Sequence, residues 1–272
     1  MRHETGSAGR QVSRGAAIAW ADGRVLPAAQ ATVPLLDDGF LRGDAVFDSV
    51  LVRRGRTHAL DRHLARLRAS AKAVGIRVPV VTRVVGDLLA AWGDRDGALK
   101  LIVTRSGALR GLIQVVEHPA SLALHPVELP WRTALSGVKT LSYAANQHAL
   151  RIARAAHADD ALIVDGGLVQ ELPTAAICVV RNGAVASPDP GRQPILDSVT
   201  VRELDDLAGV ERTRLTVDDV YAADEVFVVS ATRPVIPVHA VADREFPSPG
   251  EATARLQEEF DAHIEDNLDD PP

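Results

Sequence analysis

Strand-like and helix-like segments alternate along the whole chain, and this mixture excludes an all-helical fold and an all-β fold. Residues 16–20 and 24–26 flank Asp22-Gly23, which predicts a tight β-hairpin. Apolar residues at helical spacing predict an amphipathic helix over residues 61–74. The other predicted strands are 45–52, 57–60, 99–104, 112–117, 161–164, 177–181, 184–186 and 225–229, and the other predicted helices are 81–92, 143–158, 199–208 and 251–264. We therefore predict a fold of the α/β class, in its mixed α+β form.

A proline-rich stretch divides the chain in two. Residues 118–130 contain three prolines and show no clear period, which indicates a linker. The predicted organisation is a loose N-terminal tail at 1–15, a small N-terminal α/β lobe at 16–120, an interdomain linker at 121–132 and a larger C-terminal lobe at 133–272. The acidic residues beyond Asn267 predict a solvated C-terminus.

Composition excludes several classes of protein. The 272 residues are 46% hydrophobic and 24% charged, which is ordinary for a globular chain and unlike a disordered one. No apolar run reaches the roughly 18 residues that a membrane helix needs, and residues 1–15 lack the apolar core of a signal peptide. Because Cys178 is the one cysteine, no internal disulfide can form, and we expect a cytoplasmic location. The net charge of −6 argues against nucleic acid as the main partner.

Lysine is scarce in this chain, which makes each lysine informative. Three of the 30 basic residues are lysines: Lys72, Lys100 and Lys139. An amine can lose its proton and form a Schiff base at accessible pH, whereas a guanidinium cannot. Lys72 falls on the wet face of a predicted helix, and Lys100 points away from its strand neighbours Leu99 and Leu101. By elimination Lys139 is the candidate for Schiff-base chemistry, and a surface lysine at a helix start is the alternative.

Seven short motifs follow one another in a fixed order along the chain. They are residues 42–50, 63–67, 104–107 with 110–111, 139–143, 165–171, 195–200 and 230–237. Together they resemble the fold-type IV pyridoxal-phosphate (PLP) enzymes, also called class IV aminotransferases, over residues 16–265. The resemblance implies the two-lobed fold of the D-amino acid aminotransferases, with pyridoxal 5′-phosphate as the cofactor bound by the larger lobe.

The resemblance implies a chemical role for three residues. Lys139 matches the lysine that holds PLP as a Schiff base, and its amine, once released, moves the substrate proton as general base and acid. Glu171 matches the carboxylate that pairs with the pyridine nitrogen, which keeps the ring protonated and an electron sink. Tyr143 is placed within reach of the cofactor's phenolic oxygen.

Four further residues match the family's phosphate-binding positions. Arg66 matches the arginine that grips the phosphate, and its planar fork suits the phosphate oxygens. Val199 and Thr200 match the start of a helix whose backbone N–H groups and dipole attract an anion. Thr232 matches a second phosphate contact. The alternative for the two threonines is ordinary helix or turn capping.

Two arginines are candidates for binding the substrate carboxylate. Arg110 matches the loop arginine with which the family's D-amino acid aminotransferases trap that group. Phe47 and Leu112 stand where those enzymes use a tyrosine and a histidine, and we expect Arg42, read as a strand residue aimed into the pocket, to replace the missing donors. Two solvated arginines are the alternative. Asp48 stands where branched-chain aminotransferases normally have glutamate, which ranks that activity low.

These motifs leave three functions open. The leading prediction is a PLP-dependent transaminase that transfers an amino group from D-amino acids to a 2-oxo acid in a ping-pong cycle, with (R)-amines as additional candidate donors. The second is 4-amino-4-deoxychorismate lyase, which forms 4-aminobenzoate and pyruvate. The third is a non-catalytic binding dimer on the same fold. The resemblance also implies a homodimer, and we predict no metal at the site.

Overall fold

The computed structural model describes residues 17–270, and its first half is built on an antiparallel sheet of six strands. The strands are β1 (Ala17–Ala21), β2 (Arg24–Pro27), β3 (Ala45–Arg53), β4 (Arg56–Thr57), β5 (Gly97–Thr104) and β6 (Leu109–Gln114), in the order β2-β1-β6-β5-β3-β4. Three helices accompany them: α1 (Asp38–Arg42), α2 (Leu60–Ala73) and α3 (Thr82–Trp92). The predicted N-terminal tail at 1–15 lies outside the described residues.

Alternation along β5 separates a covered face of this sheet from an open one. Leu99 and Leu101 are fully buried and share a core with Leu64 and Leu67 of α2. The residues between them point to the opposite face, because successive side chains of a strand alternate. Lys100 is one of these, so the predicted direction of its side chain is confirmed.

The second half of the chain forms a mixed sheet of nine strands. These are β7 (Leu122–Glu128), β8 (Asp160–Asp165), β9 (Leu168–Val169), β10 (Ala176–Arg181), β11 (Ala184–Pro188), β12 (Val210–Thr213), β13 (Glu225–Ser230), β14 (Arg233–Val241) and β15 (Arg244–Glu245). Their order is β12-β11-β10-β13-β14-β7-β8-β9, with β15 paired to β14. The helices are α4 (Ala144–Ala155), α5 (Val199–Ala208), α6 (Val217–Tyr221) and α7 (Glu251–Asp266). The mixed α/β class predicted from the sequence is confirmed.

The predicted linker at 121–132 is wrong over most of its length, because β7 lies inside it. This strand pairs in parallel with β14 on one side and β8 on the other. Pro126 misled the interpretation, since proline cannot donate a ladder hydrogen bond and is rare in central strands. The pairing with β14 ends at Leu124, so Pro126 faces a partner strand only on the β8 side.

Two other local predictions need correction. The strand predicted at 112–117 is β6, which begins at Leu109 because the turn after Thr104 is short. The C-terminus beyond Asn267 is docked rather than solvated as far as the structure describes it. There Arg56 donates to the carbonyls of Leu268 and Asp269 at 2.6 and 2.9 Å, and the side chain of Leu268 is buried.

A buried ion pair also ties the two halves together. His58, two residues before α2, has its Nε2 3.1 Å from Oε1 of Glu203 on α5. Burial opposes the charge on His58, but Glu203 outweighs it and raises the pKa of the imidazole. His263 of α7 brings a third potential metal-ligating atom to within 4.8 Å of these two.

Among residues 17–270 no helix has the length and apolar character needed to cross a bilayer.

Candidate functional site

Main-chain hydrogen bonds hold Lys139 against the first sheet. The Phe47 N–H donates to the Lys139 carbonyl at 3.0 Å, and the Leu141 N–H donates to the Ala45 carbonyl at 2.9 Å. The Lys139 N–H donates in turn to Oγ of Ser70 on α2, at 3.1 Å. Because β4 does not extend to this end of β3, residues 139–141 occupy the vacant edge of the strand. The chain's second half thereby delivers one lysine to the open face of the first sheet.

The Lys139 amine lies in an apolar and electrostatically mixed environment. Its Nζ is 4.7 Å from the ring centroid of Phe47, and Tyr143 meets that ring edge-on at 5.2 Å. Burial and, next, the positive charge of Arg66 lower the pKa of Lys139 to about 8, against opposing effects of Asp48 and Glu171. Burial also raises the pKa of the Tyr143 phenol, which therefore stays protonated and able to donate.

This lowered pKa can be measured directly in the cofactor-free protein. Only a neutral amine reacts with acetic anhydride, so we expect labelling of Lys139 to rise with pH to a midpoint near 8, whereas an ordinary lysine has a pKa of 10.5. The exposed Lys72 is the internal reference in the same digest. Competitive labelling read by mass spectrometry gives both midpoints. Equal midpoints for the two lysines would contradict the burial argument.

Glu171 lies two residues after the end of β9, and two hydrogen-bond donors fix its carboxylate. The Trp131 indole N–H donates to Oε1 at 3.0 Å, and the Leu196 N–H donates to Oε2 at 3.2 Å. Burial raises the pKa of Glu171, although these hydrogen bonds and the nearby Lys139 oppose the rise. A cation placed against this carboxylate would lower its pKa again and be stabilised in return. Glu171 is therefore well placed to hold a protonated ring nitrogen.

Arg66 projects from α2 and is held by a buried carboxylate. Its Nε and Nη2 donate to the two oxygens of Asp48 at 2.8 and 2.7 Å, and Nδ1 of His63 lies 2.9 Å from Oδ1 of the same group. Burial alone would raise the pKa of Asp48, but Arg66 and then His63 outweigh it and hold that pKa far below its ordinary value. The pair therefore fixes the guanidinium in one orientation.

The free edge of Arg66 reaches the start of α5. Its Nη1 donates to the Asp197 carbonyl at 3.3 Å. Ser198 caps the helix by accepting from the Val201 N–H, and Val199 and Thr200 form its first turn. The first N–H groups of a helix have no acceptor within it, so a guanidinium and a helix N-terminus converge here. Such a combination fits a phosphate group.

Asp48 supplies a prediction about stability. Replacing it with asparagine should lower the free energy of unfolding by about 3–5 kcal/mol, because Arg66 and His63 lose their buried counter-charge. The difference from wild type should shrink as the pH falls below 3.8, the ordinary pKa of aspartate, since the stabilisation requires the ionised form. Urea unfolding at several pH values measures this difference in the free energy of unfolding. Asp44→Asn, which breaks the more exposed pair with Arg105, should cost far less stability than Asp48→Asn, and an equal loss in both variants would contradict the account.

The structure does not bring the two candidate carboxylate-binding arginines together. Arg42 ends helix α1 instead of lying on a strand, and its exposed side chain pairs with Asp38. The helix forms because Asp37 caps its start and Gly43 ends it with a φ of 69°. Arg110 lies in β6, not in a loop, and pairs with Asp22 at 3.0 Å. The prediction that Arg42 is aimed into the pocket from a strand is wrong.

The sequence did not predict a site role for two residues, and one predicted site residue makes no described contact with the others. Trp131 fell in the supposed linker, and Asp48 was noticed only as a departure from the family pattern. The single available signal for Asp48 was a lone acid in an apolar strand. Thr232 occupies the turn between β13 and β14, where the described part of the chain shows no hydrogen bond or ion pair for it. Its phosphate contact stays a prediction.

Fold and site together define a PLP-dependent enzyme, and comparison with known proteins agrees. The family model for amino-transferase class IV matches residues 45–241, and the chain belongs to this family. The chain is 26% identical to a PLP-bound hypothetical aminotransferase from Mycobacterium tuberculosis, with a TM-score of 0.81 over 91% of this chain and 98% of that one. It is 29% identical to a fold IV-transaminase from Curtobacterium pusillum, with a TM-score of 0.78 over 86% of this chain and 92% of that one. Pyridoxal phosphate is therefore the cofactor, and the residues present fit it.

Three curated relatives cover most of the chain. A putative branched-chain-amino-acid aminotransferase from Methanocaldococcus jannaschii is 29% identical, over 88% of this chain and 93% of its own length. The D-alanine aminotransferase of Bacillus licheniformis is 28% identical, over 87% and 93%. A bifunctional aminodeoxychorismate lyase / D-amino acid transaminase from Mycobacterium tuberculosis is also 28% identical, over 83% and 91%. The chain is thus an aminotransferase of class IV.

Proposed function

We propose that this chain is a D-amino acid transaminase that passes the amino group of a D-amino acid to a 2-oxo acid. Bound PLP supplies the electron sink for this chemistry. Lys139 anchors the cofactor and, with a pKa of about 8, takes and returns the substrate Cα proton near neutral pH. The Glu171 carboxylate stabilises the protonated ring nitrogen, while Arg66 and the first turn of α5 bind the phosphate. The Tyr143 hydroxyl donates to the phenolic oxygen, and Thr232 completes the phosphate site.

One row of side chains on the first sheet supports the proposal that the substrate has a carboxylate. Phe47, Ile102 and Arg110 lie directly opposite one another on β3, β5 and β6, so they share the open face of the sheet. Phe47 contacts Lys139 at one end of this row, and Arg110 stands at the other. The Arg110 Nε is buried and has no hydrogen-bond partner among residues 17–270. A substrate carboxylate would give the Arg110 Nε a hydrogen-bond acceptor. An amino acid as the substrate is consistent with the similarity to the D-alanine aminotransferase of Bacillus licheniformis.

A donor panel tests this proposal. The holoenzyme is mixed with 2-oxoglutarate and either D-alanine or L-alanine, and pyruvate formation is followed. We expect turnover with D-alanine at least about 100-fold faster, because a fixed carboxylate decides which hydrogen faces Lys139. A faster reaction with L-alanine or L-leucine would overturn the D-selectivity and favour a branched-chain aminotransferase. (R)-amines, which lack the carboxylate, should react only weakly.

The second candidate function is 4-amino-4-deoxychorismate lyase. It is favoured by the bifunctional relative from Mycobacterium tuberculosis and needs the same lysine, cofactor and arginine. Feeding aminodeoxychorismate and measuring 4-aminobenzoate tests it, and product without any D-alanine reaction would make the lyase the main activity. A protein that binds PLP and performs neither reaction would be the non-catalytic dimer.

A homodimer in the cytoplasm completes the proposal. Residues 33–41 expose large apolar side chains, among them Leu35 at 70%, Leu36 at 86% and Phe40 at 62%. A contiguous exposed apolar stretch of this kind marks an interaction surface. Light scattering should give twice the mass of 29.0 kDa. The buried, unpaired Cys178 suits a reducing compartment.

A further inference from the structure

Lys100 is a positively charged residue without a counter-ion on the open face of the first sheet. It lies in the middle of β5, directly opposite Ser49 on β3 and Leu112 on β6. Its Nζ lies 5.0 Å from the centroid of the Phe47 ring, and its positive charge is one of the influences that lower the pKa of Lys139. Within residues 17–270 Lys100 has no hydrogen bond and no ion pair.

An unpaired ammonium in this position needs an explanation. Lys100 is half-buried, and removing a charge from water without a partner costs free energy. That burial lowers the pKa of its amine. Arg66 has Asp48 as a counter-ion and Arg110 has Asp22, whereas no carboxylate pairs with Lys100 within the described residues. Because neither Ser49 nor Leu112, the residues opposite it, can neutralise its charge, Lys100 is a candidate for binding an anion that is not part of the chain.

The position of Lys100 places such an anion in the site of Lys139. The same Phe47 ring lies 4.7 Å from the Lys139 Nζ and 5.0 Å from the Lys100 Nζ. The row Ser49–Lys100–Leu112 is the next row along the sheet after Phe47–Ile102–Arg110, on the same face. Lys100 and Arg110 are therefore two cationic positions on one face of the sheet, and Lys100 shares the Phe47 ring with the reacting amine.

We propose that Lys100 binds the second carboxylate of a dicarboxylic substrate, while Arg110 binds the first. The enzyme then prefers amino and 2-oxo diacids of four or five carbons, with Lys100 as the residue that sets this preference. A carboxylate suits the position better than a phosphate, because a single ammonium among Phe47, Ser49 and Leu112 offers few donors for a dianion. This assignment rests on the proposed transaminase function.

Two acceptors of equal chain length isolate the second carboxylate. 2-Oxoglutarate and 2-oxopentanoate both have five carbons, and only the first carries the extra charge. We expect wild-type holoenzyme to favour 2-oxoglutarate at least tenfold in kcat/KM. Lys100→Met should lower that value about 10- to 100-fold for 2-oxoglutarate and leave 2-oxopentanoate within about threefold. Lys100→Arg should restore much of the preference, and Lys72→Met, the same change at an exposed lysine, should alter neither acceptor.

Separate readouts distinguish failure of this assignment from failure of the proposed function. The D-alanine half-reaction, followed by the cofactor absorbance without any acceptor, tests the transaminase alone. If it proceeds but wild type does not discriminate the two acceptors, or Lys100→Met weakens both equally, the role of Lys100 is overturned and the transaminase stands. If it does not proceed, calorimetry still tests Lys100, since glutarate should bind wild-type holoenzyme at least tenfold more tightly than pentanoate. Equal affinities would overturn the assignment, and the wild-type measurements do not depend on a variant that folds.

Discussion

The Lys139→Ala protein is expected to be colourless and inactive, with its fold preserved. The lysine side chain supplies both the covalent link to PLP and the proton transfer, and a positioned acid–base group alone contributes about 10²–10⁴-fold. Transamination should therefore fall more than about 10⁴-fold. The hydrogen bonds that fix residue 139 are made by its main chain, so they survive the substitution.

Two controls make the Lys139 result specific. Lys72→Ala removes an exposed lysine and should leave colour and rate unchanged. Adding a small primary amine such as ethylamine to Lys139→Ala should restore part of the proton-transfer rate, because the missing group is an amine. A yellow Lys139→Ala protein with activity near wild type would remove this residue from the chemistry.

Glu171→Gln is expected to produce the second largest loss, in rate more than in cofactor binding. The neutral amide keeps the shape of the side chain but cannot stabilise a protonated ring nitrogen, so the bound cofactor accepts electrons poorly. Removal of one preorganised electrostatic group typically costs about 10²–10³-fold in kcat. Arg66 and α5 remain, so the affinity for PLP should change less than the rate does. Titration of the cofactor-free variant with PLP, followed by absorbance, measures the affinity, and kcat of the loaded variant measures the rate.

Matched variants test whether the charge of Glu171 is responsible. Glu211→Gln makes the same change on the exposed side of β12 and should leave kcat unaltered. Trp131→Phe removes the donor to Oε1 of Glu171 while the carboxylate stays, so its loss should be smaller, about tenfold. A Glu171→Gln enzyme with wild-type kcat would show that the ring nitrogen is protonated without this residue.

Local signals in the sequence were sufficient for much of the fold. The predicted helix at 61–74 is α2 at Leu60–Ala73, and the Asp22-Gly23 hairpin forms as predicted. Strands interrupted by proline were not recognised. Pro126 concealed β7, and Pro234 and Pro237 concealed β14, because proline is normally excluded from a ladder. Their places depend on pairing between distant segments, which local periodicity does not report.

The same limit applies to the site. Lys139 was found because lysine is rare in this chain, and Glu171 and Arg66 came from the resemblance to a known family. Trp131 donates a hydrogen bond to Glu171, which is 40 positions away in the sequence, and no short motif predicts such a contact. Lys100 was interpreted only as a strand residue, because its role depends on having Ser49 and Leu112, and no acid, directly opposite it, which only the strand registers reveal.

The site of covalent attachment of PLP tests the central claim most directly. Reduction of the yellow holoprotein with borohydride fixes the cofactor to its lysine, and peptide mass spectrometry then locates it among only three candidates. We predict the adduct on Lys139 and unmodified Lys72 and Lys100. An adduct on either of the other two lysines, or no adduct on a protein that has bound PLP, would contradict the account of this site.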